Sequence, residues 1–378
     1  MFDLVIAGGR VLDPGSGLDR IADVAFLDGK VAAVGDGFAA GSARQVVDAA
    51  GRIVVPGLID LHTHVYWGGT SLGVDADAIA TRSGTTTFVD AGSAGAGNFA
   101  GFRRHVIERS TVRILAYLNI SFAGIFAFSR NVMVGECDDI RLCDPREAVA
   151  AAREHRDVLV GLKVRVGRIA GGTSGVAPLD IAIDAADRRG LPVMAHIDHP
   201  PPSRREVVSR LRPNDVLTHC FRPFPNAPID GRRNIAEEIG QARARGVVFD
   251  IGHGMGSLSF ETATAMIAHG FLPDVISSDV HSLSIAGPAY DNLVTLSKFI
   301  CLGVDLADAI AMATVAPARA IGRSDLGSLA VGAVGDAAIL EMADGQFNYV
   351  DALGETLAGK QRLVSHGIVV GGRWLPAA

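Results

Sequence analysis

Eight short apolar runs rich in β-branched residues alternate with helix-like stretches through the middle of this 378-residue chain, and that alternation restricts the fold more than any other feature. Runs that are apolar on both faces belong to strands covered on both sides, the habit of parallel β/α units. The runs end near His64, Asp90, Asn119, Arg165, His196, His219, Gly252 and His281. Eight such units predict an α/β fold, a (β/α)8 barrel of TIM type over residues 55–324, whose reactive groups gather at the C-terminal ends of the strands. Helix punctuation agrees. Asp144-Pro145-Arg146-Glu147 offers an N-cap, a first-turn proline and a capping-box glutamate, and Arg188-Arg189-Gly190 offers C-terminal cations and a C-cap glycine.

The flanks read differently. Residues 1–54 carry strand patterns at Leu4–Ala7, Val11–Leu12, Ile21–Leu27, Lys30–Val34 and Gln45–Asp48, with Asp28-Gly29 as a hairpin turn. Residues 325–378 repeat the style at Ala337–Leu340, Leu363–Ser365 and Ile368–Val370. The two flanks are predicted to join as a small β-sandwich domain built from both termini. With 48% hydrophobic residues the chain can bury a large core. Its 41 acidic and 35 basic residues are spread without a basic stripe, for a net charge of −6. That balance excludes nucleic acid and anionic membranes as partners and leaves a small-molecule substrate. The four cysteines form no Cys-x-x-Cys pair and read as buried thiols of a reducing cytosol. The first residues lack a signal-peptide pattern, and no apolar run nears the ~20 residues that cross a bilayer. A soluble cytoplasmic protein is expected, with a homo-oligomer left open.

His62-Thr63-His64 puts two imidazoles at i and i+2 on one face of a strand, an arrangement suited to a metal ion. Single candidates follow at later strand ends: Lys163, His196, His219 and Asp279. Any one of them alone would more often be hydrogen-bonded to a loop; their coincidence at one end of a barrel carries the argument. Lys163 is one of only four lysines among the 35 basic residues. An ammonium cannot ligate a metal, so either this amine has captured carbon dioxide to become a carbamate, or it forms a salt bridge with a carboxylate. Arg165 lies two residues further on, points to the same side, and could grip a carboxylate in a bidentate fork. An ion pair to a neighbouring strand is the equal alternative. Among His253, His281 and His199, His253 is favoured as a substrate contact because glycines surround it. Tyr66 and Asn119, with Trp67 and Ser93, are candidate pocket walls.

The run Pro56-Gly57-Leu58-Ile59-Asp60-Leu61-His62-Thr63-His64, followed by Lys163, His196, His219 and Asp279, resembles the amidohydrolase superfamily across nearly the whole chain. Asp3–Val11, Gly29–Gly35, Pro317–Gly322, Leu326–Leu329 and Gly335–Ala338 are similar to that superfamily's terminal strands. The resemblance implies two divalent metal ions, with zinc expected: one held by His62, His64 and Asp279, the other by His196 and His219, with carbamylated Lys163 and a hydroxide bridging them. It also implies that Asp279 is catalytic and carries the proton from the attacking hydroxide to the leaving atom. Asp90–Gly95, Gly161–Arg165, Thr218–Phe221, Asp250–Gly254 and Ser278–His281 look most like the deacetylase or dihydroorotase-like branch. With Arg165 as a candidate grip for a carboxylate, the predicted reaction is cleavage of an N-acyl amino acid or an acylated hydroxy acid. Dihydroorotases have an arginine two residues after the second histidine of the first motif, and this chain has Tyr66. Cyclic-amide hydrolysis of dihydroorotase or hydantoinase type is the alternative, and a non-catalytic scaffold of the same fold a further one. Gly95-Ala96-Gly97-Asn98-Phe99-Ala100 formally fits a dinucleotide fingerprint, but the next strand ends at Asn119 without the acid a ribose would need.

Overall fold

In the computed structural model, which describes residues 1–38 and 41–377, Asp28 and Gly29 take φ values of 51° and 75°. Two successive positive φ angles are what a two-residue hairpin between twisted strands needs. The flanking N-terminal strands are β1 (Phe2–Asp13), β2 (Leu18–Leu27), β3 (Lys30–Gly35), β4 (Ala43–Asp48) and β5 (Ile53–Pro56). β1 is continuous where the sequence suggested two pieces. Its register against β2 slips between Ile6 and Gly9, and Gly8 at φ 71° donates its N–H to Asp23 Oδ1 at 2.8 Å, so a bulge joins the two runs.

The central strands are β6 (Leu58–Thr63), β7 (Thr85–Gly95), β8 (Arg113–Asn119), β9 (Leu159–Val166), β10 (Val193–Ile197), β11 (Val216–Leu217) and β12 (Val248–Phe249). They form one parallel sheet in simple sequential order. Every residue of β6 and β7 is buried, as strands covered on both faces require. Helices intervene. Pro145–Glu154 is capped by Asp144, whose carboxylate accepts from the backbone of Arg146 and Glu147, and Ala177–Asp187 is closed by Gly190 at φ 63°. A complete capping box forms at Ser203 and Glu206.

The last two predicted runs are much shorter than expected. β12 stops at Phe249, and Val275–Ser278 forms no strand, only isolated parallel bridges between Val275 and Asp250 and between Val280 and Thr63. The cause is side-chain chemistry. Asp60 captures the Ser278 backbone N–H at 2.9 Å and its hydroxyl, Asp250 captures the Ser277 hydroxyl at 2.6 Å, and Asp279 turns to φ 48°. The chain still spans the two edges of the curled sheet, with Ile251 N bonded to Val275 O and Asp279 N to His62 O.

The C-terminal strands are β13 (Ala337–Val350), β14 (Thr356–Val370) and β15 (Arg373–Pro376). The sequence reading missed much of the β13–β14 arm because its residues 341–362 are largely polar and half exposed. All eight terminal strands lie in one hydrogen-bonded sheet, ordered β15-β14-β13-β5-β1-β2-β3 with β4 beside β1. Leu4, Ile6, Val24, Phe26, Ala337 and Ile339 form its own core. A larger core, including Phe88, Phe102, Leu118, Leu162, Leu179 and Phe299, lies around the central sheet and its helices. Among the described residues no helix is long and apolar enough to cross a membrane. All four cysteines are free, three of them buried.

Candidate metal centre

Eight of the side chains singled out from the sequence meet at one cavity of about 40 Å³ at the C-terminal strand ends. His62 and His64 come from the end of β6, Lys163 and Arg165 from β9, His196 from β10, and His219 and Asp279 from the loops beyond β11 and Val275–Ser278. Alternation puts the i, i+2 pairs on one side. Leu72, Ile125, Phe128 and His281 complete the lining. A larger depression of about 870 Å³, near Leu115, Leu159 and Val160 at the opposite strand ends, contains no imidazole.

Asp279 Oδ1 lies 3.4 Å from His62 Nε2 and 3.3 Å from His64 Nε2. Lys163 Nζ is 3.3 Å from His62 Nε2. The His196 and His219 rings meet edge to face at 4.5 Å, and the His62 and His219 rings are 5.1 Å apart. Backbone strain accompanies these contacts: His219 and Asp279 adopt φ of 60° and 48°, left-handed values that non-glycine residues hold only where their surroundings impose them. Gly252 and Gly254 also have positive φ, and a Cβ on either would collide, at Gly252 with Thr218 and the His219 and His62 rings, at Gly254 with the Asp279 carboxylate.

Burial dominates the electrostatics. It holds the His62, His196 and His219 imidazoles well below their ordinary range and His64 at about 3, so each offers a lone pair. It pushes Asp279 up to about 6 and Lys163 down to about 7. The outward nitrogens are taken: His62 Nδ1 by Thr218 Oγ1 at 2.7 Å, His64 Nδ1 by Ser93 Oγ at 2.9 Å, and His219 Nδ1 by Gly252 O at 2.7 Å. A carbonyl only accepts, so His219 carries its hydrogen on Nδ1 and turns Nε2 inward.

This donor set fits a divalent cation. Ligands about 2.0–2.1 Å from a tetrahedral zinc lie about 3.3 Å from one another, close to the separations of Asp279 Oδ1 from the two imidazoles. His62, His64 and Asp279 each offer an atom within 4.8 Å of the other two. Asp279 Oδ1 and His196 Nε2 are buried and without a hydrogen-bond partner among the described residues, an expensive state unless something else binds them.

The substrate contacts expected from the sequence fare unevenly. Arg165 lines the cavity, with its guanidinium 5.2 Å above the Phe128 ring and Nη1 3.3 Å from Glu136 Oε2. The acid it meets comes from the loop after β8, not from a neighbouring strand. Asn119, Tyr66 and His253 lie outside the lining. Asn119 is buried beneath it, donating to Gly92 O at 3.0 Å; Tyr66 packs on Phe102 with ring centroids 4.6 Å apart; and His253 accepts from Lys298 Nζ at 2.6 Å. Of the three later histidines it is His281 that reaches the cavity. Leu283 N–H bonds to its Nδ1 at 3.2 Å, leaving Nε2–H as a donor. Sequence reasoning assigned no role to Glu136 or Phe128, which sit in no distinctive motif, nor to Thr218 or Asp250, which open two of the segments quoted for the resemblance. The glycine loop after β7 is no phosphate cradle: Phe122 fills the space beside Gly97, and Asn98 Oδ1 takes the Gly95 N–H at 2.9 Å.

Comparison with known proteins gives the family. Residues 45–98 and 253–375 match profiles described as Amidohydrolase family. A deacetylase of Agrobacterium fabrum is 34% identical over 93% of this chain and 86% of its own length. A deacetylase of Enterococcus faecalis is 30% identical over 98% of both. The crystal structure of an adenine deaminase superposes with a TM-score of 0.92 at 29% identity, and that of a dihydroorotase with 0.91 at 32%, each over the full length of both chains. On this footing the chain belongs to the amidohydrolase family of hydrolases.

Proposed function

We propose that this protein is a binuclear metal-dependent amidohydrolase that deacylates a small carboxylate-bearing molecule, an N-acyl amino acid or an acylated hydroxy acid. One observation carries the reading: two buried neutral imidazoles each stand at tetrahedral ligand spacing from one carboxylate oxygen that has no hydrogen-bond partner among the described residues, at the wall of one cavity. His62, His64 and Asp279 would hold one ion, and His196 and His219 the other. Lys163 would bridge them as a carbamate, formed when its neutral amine adds carbon dioxide and releases one proton. Two such ions would supply Lewis acidity toward the scissile carbonyl and an activated water at neutral pH. The chain's own groups do the rest. Asp279 takes the proton of the attacking water and returns it to the leaving nitrogen or oxygen, His281 Nε2–H donates to the substrate oxygen, and Arg165 holds the carboxylate. Leu72, Ile125 and Phe128 keep bulk water out.

Relatives named deacetylases along almost the whole chain support the acyl-transfer reading. Cyclic-amide hydrolysis is the second reading, favoured by the dihydroorotase structure and by a Geobacter sulfurreducens dihydroorotase, 49% identical over 63 residues. Tyr66, turned onto Phe102 where an arginine would grip the orotate precursor, weighs against it. A scaffold role is disfavoured because every ligand type is present. The proposal extends to architecture and place: a (β/α)8 barrel over 55–324, a β-sandwich domain from 1–54 and 325–378, and a cytoplasmic setting.

Purified protein is expected to bind about two zinc ions per chain by elemental analysis, as dinuclear sites do, and to release the acid from N-acyl amino acids in a substrate panel. Metal-free protein that gains no hydrolysis of amide, ester or cyclic amide with zinc, manganese or iron refutes the reading. Arg165→Ala should raise KM for carboxylate substrates about 10–100-fold, the loss of a charge-assisted pair, while metal content stays constant. An equal loss on an uncharged ester analogue would show that Arg165 serves only the Glu136 ion pair.

A further inference from the structure

His62 is held by more than its place on β6. Its Nδ1 lies 2.7 Å from Thr218 Oγ1, and that hydroxyl lies 2.7 Å from Asp250 Oδ2. The direct distance from His62 Nδ1 to Asp250 Oδ2 is 3.5 Å, so the hydroxyl mediates. The other Asp250 oxygen accepts from Ser277 Oγ at 2.6 Å, and Ser277 Oγ accepts from Gly252 N at 2.9 Å. His62, Thr218, Asp250 and Ser277 are all within 1% of full burial, which keeps water from substituting for any link.

Hydrogen counting fixes the polarity. A threonine hydroxyl has one hydrogen and a carboxylate has none, so the Thr218 hydrogen goes to Asp250 and the Thr218 lone pair must receive one from His62. His62 Nδ1 then carries the ring hydrogen, and the Nε2 lone pair faces Lys163 and Asp279. The opposite polarity would require a proton on Asp250 Oδ2. A related arrangement stands behind His64, where Ser93 Oγ meets Nδ1 and the Ser93 N–H is held by Asp90 Oδ1 at 2.7 Å.

We propose that Thr218 and Asp250 are positioning residues that lock His62 in its Nδ1–H tautomer and so aim the Nε2 lone pair into the cavity. The proposal rests on the metal-centre reading for its purpose, but not for its geometry. The relay joins the two edges of the curled sheet, since His62 lies one residue before the end of β6 at one edge, while Thr218 follows β11 and Asp250 follows β12 at the other. It thus ties ligand orientation to closure of the curled sheet, where Asp250 bridges Val275.

Metal-free protein labelled with 15N-histidine tests the lock directly. Long-range proton–nitrogen spectra should give His62 as the Nδ1–H tautomer in the wild type. Thr218→Val keeps the shape and removes the hydroxyl; it should mix the tautomers and weaken zinc affinity about 10–100-fold by competition with a chromophoric chelator, the usual effect of losing such an outer partner. Thr218→Ser should restore both readouts. An Nε2–H tautomer in the wild type overturns the proposal even if Thr218→Val fails to fold, and so does a folded Thr218→Val that binds zinc as tightly as wild type. A wild type that has the Nδ1–H tautomer but takes up no zinc would sink the metal reading and leave the relay standing.

Discussion

Lys163→Ala should lower kcat/KM by about 1,000-fold or more, roughly 4 kcal/mol of transition-state stabilisation, and reduce bound metal from two ions to one or none. The reasoning begins with position. Lys163 is fully buried on β9, between Asn119 of β8 and Met194 of β10, with its Nζ 3.3 Å from His62 Nε2. As an ammonium it would stand among four imidazoles and near Arg165, a cation in a crowd of groups that lower their own affinity for protons in response. As the proposed carbamate the same arm changes from one positive charge to one negative, which turns repulsion from Arg165 into attraction and would suit two divalent cations held by the imidazole lone pairs. Alanine removes the arm and leaves space for a small anion. Acetate or propionate should therefore restore part of both activity and metal content, whereas an equal concentration of chloride should not. Protein equilibrated with 13C-bicarbonate should give a carbamate carbon signal in the wild type that is missing from the variant. A variant that keeps two ions and near-normal turnover would mean that Lys163 is an ordinary buried amine.

The elements and residues that were legible from the sequence share a physical property: their signal is local. Full burial on both faces wrote β6 and β7 as runs that each carry one acidic residue and no lysine or arginine, and the Asp28-Gly29 turn and the Asp144 cap depend on neighbours two or three residues away. The metal candidates were visible because strand ends of a parallel curled sheet converge, so one polar residue after each apolar run is enough to list them. What failed was non-local. Val275–Ser278 looked like a strand, but Asp60, more than two hundred residues away, takes the Ser278 hydrogen bonds. The β13–β14 arm looked like loop because half its face is wet. His253 looked like a substrate contact because of its glycines, and those glycines serve a different purpose: Gly252 and Gly254 let the backbone pass close to His62, His219 and Asp279. Nothing near His253 in the sequence reveals that its partner is Lys298.

That partner gives the largest expected effect on stability. Lys298→Met should destabilise the protein by about 3 kcal/mol near pH 7, and by more as the pH rises. Lys298 is fully buried on the helix Asn292–Cys301 with three acceptors around Nζ, His253 Nε2 at 2.6 Å, Pro288 O at 2.7 Å and Val350 O at 2.7 Å; the ammonium donates to all three and the neutral amine to two of them. His253 is held neutral by burial, with its pKa near 3, so Nε2 stays an acceptor. Methionine matches the length and supplies no donor, leaving two carbonyls and an imidazole nitrogen buried without partners at about 1–3 kcal/mol each, partly offset by no longer burying a charge. The pH term has a definite sign. Burial depresses the Lys298 pKa from 10.5 to about 7 in the folded state. Between those values the unfolded chain binds the extra proton, so wild-type stability gains up to about 1.4 kcal/mol per pH unit as pH rises above 7, and loses it as pH falls back. The variant lacks this term, and all other titrating groups are common to both proteins. Urea unfolding at pH 7, 8 and 9 should therefore give a wild-type advantage that widens with pH. A constant difference would mean that Lys298 titrates normally, and no difference would mean that the three contacts are worth no more than the burial they require. Because Val350 ends β13 and His253 adjoins the Gly254 wall against Asp279, the same substitution should also lower kcat, joining the terminal sheet to the chemistry through one side chain.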